Sequence, residues 1–242
     1  MTLIAGAFGF FIGLAAHDMA VQALTDTEPL RPGSGICPQC LHRRGWLRLR
    51  CPECGRHVQR EPAVAIVAAL FGAGLYNLIG ANWVLIPFFG FILLTAALMV
   101  TDLEEFRIVD RLNIRGSVIL AVTLALAALA DGTLDAMLRG LGGAVAYFAG
   151  ATILFLLAGG RGFGAGDVKL APVLGLFTTY ISWGVLAWSV FATAVIGGVI
   201  AFGMIIAGAA KMKTELPYGP PMIIGSWVAL VLAGLGSIPV PS

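Results

Sequence analysis

The sequence predicts an all-α, polytopic membrane protein with about eight transmembrane helices and a small cysteine-bearing loop. Three observations carry that class. Only 12% of the 242 residues are charged, about half the 25% of a soluble domain. Hydrophobic residues make up 59%, with a mean hydropathy of +0.93. The apolar residues fall in continuous runs of spanning length, not in ten-residue alternations, so the spans are helices and not barrel strands. Such a composition excludes an ordinary soluble enzyme and a disordered chain. A net charge of +2 gives no ground for a nucleic-acid partner.

The elements follow in chain order. Residues 1–24 form the first span, interrupted by His17 and Asp18. No Lys or Arg precedes it and Arg31 follows it, so an uncleaved helix with its N-terminus outside is expected. Within it, Gly9-x-x-x-Gly13 either allows close helix approach or reflects the abundance of Gly in membrane helices. Residues 63–101 and 170–210 are uncharged runs of 39 and 41 positions. A span needs about 20 residues, so each holds two helices. The breaks are expected at Gly80-Ala81-Asn82 and near 178–182. Residues 116–130 are short but can borrow Leu112 and Ile114. Residues 140–160 and 216–242 hold one span each.

Eight spans with the N-terminus outside put 25–62, 102–115, 159–169 and 211–217 inside. Those segments hold 14 of the 15 Lys and Arg residues, and only Arg139 falls outside. The positive-inside rule predicts this skew, and a wrong span count would scramble it. The expected division is a first helix (1–24), a cytoplasmic loop (25–62) and a transmembrane core (63–242).

The loop carries all four cysteines, as Cys37-Pro38-Gln39-Cys40 and Cys51-Pro52-Glu53-Cys54. Two such turns can close a tetrahedron of thiolates around structural Zn²⁺, with no open position for water. A redox pair and a disulfide-stapled loop are the alternatives, disfavoured on the cytoplasmic side. Arg31, Arg43, Arg44, Arg48, Arg50, Arg56 and Arg60 surround the cysteines. They either hold the loop against anionic membrane lipid or only set topology.

Carboxylates at the ends of apolar spans are costly and so usually have a task or a partner. Asp102 closes the third expected span and Asp167 opens the sixth, both at the same, cytoplasmic face. Two carboxyl groups at close range share a proton, which is the chemistry of an aspartic protease. For Asp167 alone, capping of a helix N-terminus is the plainer reading. His17 and Asp18 are either a buried polar pair or a site for methyl transfer or proton handling. Paired intramembrane aspartates would also suit a proton or cation transporter, although no inverted repeat is evident and both aspartates lie at one face.

Three segments make the chain resemble the bacterial type IV prepilin peptidase family, which are Gly-x-Gly-Asp aspartic membrane proteases. They are Gly162-Phe163-Gly164-Ala165-Gly166-Asp167-Val168-Lys169-Leu170, then Thr101-Asp102-Leu103-Glu104 followed by Ile108-Val109-Asp110, and Leu216-Pro217-Tyr218-Gly219-Pro220. The cysteine loop and the eight-span plan fit as well. The resemblance implies that Asp102 and Asp167 are the catalytic pair. Gly164, Gly166, Lys169 and Asp110 would serve substrate approach or support the pair. For Lys169 the plainer reading is a snorkelling flank residue, and for Asp110 a helix cap. It also implies cleavage of a prepilin or pseudopilin leader after a Gly, at the cytoplasmic face of the bacterial inner membrane. N-methylation of the new N-terminus with S-adenosylmethionine is the family's second activity. Val109 stands where the family usually has Pro. Residues 15–19, Ala-Ala-His-Asp-Met, also depart from the family's usual stretch. Another Gly-x-Gly-Asp protease, cutting inside a transmembrane helix, is the nearest alternative.

Overall fold

A computed structural model of the chain describes residues 1–24, 37, 40, 42, 50–55, 61–105, 108–157, 164–206 and 218–237. Among them are eight helices: α1 (Thr2–Leu24), α2 (Glu61–Ile79), α3 (Leu85–Glu105), α4 (Asp110–Ala130), α5 (Leu134–Leu157), α6 (Ala165–Ile181), α7 (Trp183–Ile206) and α8 (Gly219–Gly234). Gly162, Phe163, Leu216, Pro217 and six of the seven loop arginines lie outside the described residues; Arg50 lies within them.

Both expected breaks inside the long apolar runs are present. Gly80 takes φ +74, which only glycine adopts at no steric cost, and ends α2. The Asn82 amide then donates to the Ile79 carbonyl at 2.8 Å. Ser182 leaves α6 in extended geometry, and its hydroxyl accepts the Val185 N–H at 3.2 Å, capping α7.

The span count needs one correction. Among the described residues, five helices are long and apolar enough to cross a membrane: α1, α3, α4, α5 and α7. The apolar part of α2, Val64–Ile79, and α8 are shorter, and α6 has 17 residues with Asp167 and Lys169 in its first turns. Lipid thickness sets the length of a helix that faces lipid. Helix α6 faces protein instead: from Leu170 to its end, every residue except Pro172 is buried.

Without water between helices, close packing drives their association, and small residues permit it. A Cβ on Gly9 would lie 2.4 Å from the Ala68 carbonyl oxygen, and one on Gly13 would lie 2.5 Å from the Ala65 Cα. The Gly9-x-x-x-Gly13 face is therefore the seam between α1 and α2. Gly175 meets the Gly143 backbone of α5 in the same way. Between α7 and α8, Gly225 lies against Thr193, and the Ser189 and Ser226 hydroxyls hydrogen-bond at 2.8 Å.

Helices α3, α6 and α8 form the centre. Phe91 stacks on Phe177 at 4.6 Å, and Phe88 meets the same ring edge-on. Trp227 stacks on Phe71 of α2 and donates its indole N–H to Thr95 at 3.1 Å. Arg139, the single exception to the charge skew, has a local reason. It donates to the carbonyls of Thr179, Tyr180 and Ile181, covering the acceptors that the end of α6 leaves unpaired.

Replacing Gly9 and Gly13 together by Ala is expected to cost about 1–3 kcal/mol through overpacking against α2. Gly150, beside which a Cβ meets nothing within 4 Å, should accept Ala with no loss. Thermal unfolding in detergent, compared between the two variants, checks the difference.

Candidate active site

Asp102 stands near the end of α3, and Asp167 is the third residue of α6. Both are almost fully buried, at 4% and 5% exposure. The carboxylate of Asp102 lies within electrostatic range of Asp167. Sixty-five positions apart in the chain, they come to the same end of the bundle because α3 arrives there and α6 departs from it.

Their surroundings differ. Asp167 Oδ2 accepts the Gly164 N–H at 2.9 Å, so the helix-capping reading of Asp167 is realised. Asp102 Oδ2 is buried with no hydrogen-bond partner among the described residues. It faces the start of α8: a Cβ on Gly219 would lie 2.7 Å from that oxygen. The opening Gly219-Pro220-Pro221 suits a helix start, since a first-turn Pro forgoes only an N–H that would be unpaired anyway.

Ile108 lies between the two helix starts. A Cβ on Gly166 would sit 3.1 Å from the Ile108 Cβ, and one on Gly219 would sit 3.4 Å from its Cδ1. The next residue, Val109, has φ −72, within the range that a proline ring fixes. Valine thus holds the backbone shape expected of the usual Pro.

Lys169 and Asp110 form an ion pair at 2.6 Å that ties the start of α4 to the first turns of α6. Both side chains are about half exposed, so the pair adds little stability by itself. Asp110 does not cap α4: that position is Val109, which makes no side-chain cap bond. Lys169 is paired with Asp110 and not with Asp167. His17 and Asp18 are buried on α1, and the Gln22 amide donates to the Asp18 carbonyl at 3.1 Å.

Sequence reasoning did not single out Tyr147, Ser189 and Thr193. The Tyr147 side chain lies near the Thr193 and Ser189 hydroxyls of α7 and within electrostatic range of Tyr218 and Asp167. Hydroxyl residues within apolar runs are the available sequence signal, and it is faint. A separate cavity of ≈ 520 Å³ opens at the other end of the bundle, lined in part by Asp131, Thr133, Asp135 and Arg139. Three of its polar groups are structurally engaged: Asp131 accepts the Val84 N–H, Thr133 bonds to Tyr180, and Arg139 donates to the end of α6.

The four cysteines form one cluster, with all sulfurs within 4.8 Å of one another. Cys37–Cys54 and Cys40–Cys51 are separated by 3.6 and 3.4 Å. A disulfide needs about 2.05 Å, and none is formed. A tetrahedral ion with metal–sulfur bonds of about 2.3 Å has sulfurs about 3.8 Å apart. The cluster fits that shape. The turns also prepare the sulfurs electrostatically. The Cys54 backbone N–H chiefly pulls the Cys51 thiol down to about 6. At Cys40 the His42 N–H acts in the same direction, but burial and the other sulfurs outweigh it and push the thiol up to about 12. A bound cation would displace the thiol protons.

Comparison with known proteins finds a family match over part of the chain and relatives over most of it. The type IV leader peptidase family matches residues 88–202, a stretch that runs from α3 into α7 and includes both aspartates. The prepilin leader peptidase/N-methyltransferase of Aeromonas hydrophila is 25% identical over 210 residues, covering 81% of this chain and 70% of the relative. That of Bacillus subtilis is 28% identical, covering 74% and 69%. That of Pseudomonas putida is 26% identical, covering 89% and 78%. No solved structure matches the chain. The family match runs through the helices that carry the two aspartates, and the relatives run along most of this chain's length, so the chain is similar to the type IV leader peptidase family.

Proposed function

We propose that the protein is an aspartic endopeptidase of the bacterial inner membrane that removes the leader of type IV prepilins or pseudopilins. The single observation that carries the reading is the pair of buried carboxylates, Asp102 and Asp167, delivered by separate helices to one end of the bundle within each other's field. The family match and the relatives' names support the substrate class.

In this reading the two carboxyl groups work with one proton between them. The ionised member takes a proton from water as the oxygen attacks the scissile carbonyl carbon. The protonated member donates a hydrogen bond to the carbonyl oxygen. The tetrahedral intermediate then collapses, and the amine leaves with a proton from the pair. Gly164 leaves bare, exposed backbone beside Asp167, where an extended peptide can approach closely, and Gly166 supports the pair by letting Ile108 pack against the start of α6. The Lys169–Asp110 pair fixes the start of α6 against α4. The skew of basic residues supports a site on the cytoplasmic face with the N-terminus outside.

The loop of residues 25–62 is read as a zinc knuckle joining the first helix to the peptidase core. Its four sulfurs support Zn²⁺ held for structure, since they leave no coordination position for substrate. The loop arginines would meet anionic lipid. Methylation of the new N-terminal amine by S-adenosylmethionine is the second activity that the relatives' names carry.

Asp102→Asn and Asp167→Asn keep side-chain size and remove the ionisable proton. Each is expected to lower cleavage of a prepilin-like precursor by about 10³-fold or more. Mass spectrometry of the product N-terminus locates the cut, and added S-adenosylmethionine should raise the product mass by one methyl group. Folded Asn variants that still cut at the leader Gly would rule out this pair.

Metal analysis of the purified protein should find one zinc per chain. Cys40→Ser and Cys54→Ser should lose it, whereas Asp102→Asn should keep it. Zinc content unchanged in both Ser variants would exclude the cysteine site.

A further inference from the structure

We infer that Ile108 is a positioning residue for the two aspartates, a wedge that sets the start of α6 against the start of α8. The inference rests on the reading of Asp102 and Asp167 as the catalytic pair. Ile108 is buried at 7% exposure between two glycines, each the bare backbone of a different helix start. On one side its Cβ, Cγ1 and Cδ1 all lie within 3.5 Å of where a Gly166 Cβ would stand. On the other side its Cδ1 is 3.4 Å from the corresponding point on Gly219. Each glycine also adjoins a carboxylate: Gly166 precedes Asp167, and Gly219 faces Asp102 Oδ2. A continuous line of contact therefore runs from Asp102 through Gly219, Ile108 and Gly166 to Asp167.

A β-branched side chain suits this role because its χ1 is stiff. Two residues on, Asp110 pairs with Lys169 of α6, so the segment that carries the wedge also meets α6 at a second point. Ile108 has no reacting group. Its effect is on where the carboxylates stand, and a displacement of about 1 Å can cost about a hundredfold in rate.

The test measures kcat and KM for precursor cleavage, with thermal unfolding measured on each variant. Ile108→Ala is expected to lower kcat ten- to a hundredfold, with KM within about twofold of wild type. Ile108→Val keeps the branched contact with Gly166 and loses the Cδ1 contact with Gly219. It should recover most of the rate and stand about threefold below wild type. Leu124→Ala removes a fully buried side chain of α4, away from the two helix starts. It should lower thermal stability and leave kcat at the wild-type value.

Wild-type kcat in folded Ile108→Ala overturns the inference. So does an equal loss of kcat in Leu124→Ala, which would make the effect one of general packing. If Ile108→Ala fails to fold, wild-type kcat in Ile108→Val overturns it instead. Failure of the parent reading looks different: folded Asp102→Asn and Asp167→Asn would still cut.

Discussion

The inner architecture of the bundle is organised around a carboxylate oxygen, Asp102 Oδ2, that is buried with no hydrogen bond among the described residues. A buried polar atom without a partner costs about 1–3 kcal/mol, and a chain embedded in lipid has little water to repair it. The surroundings respond to this constraint. The start of α8 meets the oxygen with a residue that has no side chain. Asp167, by contrast, is already satisfied by the Gly164 N–H. Two chemically identical groups thus occupy unlike environments, the condition under which a shared proton acquires a preferred holder.

The same economy of side chains recurs where helices meet. Lipid offers no hydrophobic penalty for keeping two helices apart, so contact must come from fit. At α1–α2, α5–α6 and α7–α8 the fit comes from glycine facing backbone or a small hydroxyl residue. The bulky aromatics are kept for the centre, where Phe88, Phe91, Phe177 and Trp227 fill the space among α2, α3, α6 and α8. Close seams outside and large rings inside give a bundle with little freedom to slide, and the aspartates inherit that rigidity.

Much of this was legible from residue order alone. Apolar runs of spanning length located all eight helices, and the Gly-Ala-Asn and Ser182 breaks fell where expected, because local turn chemistry decides them. The cysteine spacing located a cluster for the same reason: each C-x-x-C turn is a local structure. The number of full-length spans was overestimated, since composition does not reveal that α6 is wrapped by protein and freed from the bilayer's length requirement. The contacts of Ile108, Gly219 and Tyr147 were also hidden. They depend on how each helix is rotated about its axis, and helices that are apolar all round carry no stripe from which to read that rotation.

The burial of α6 has a consequence for how the chain enters the membrane. A segment of 17 residues with Asp167 and Lys169 at one end and Pro172 inside it is a weak insertion signal, because ionised residues and a short apolar stretch both favour the aqueous channel over lipid. Helix α5, which precedes it, is 24 residues long and strongly apolar, and it presents Gly140 and Gly143 as a groove. The two are suited to leave the translocation channel as a preassembled hairpin, with α5 acting as chaperone in cis. On that route α6 is never required to be stable in lipid alone.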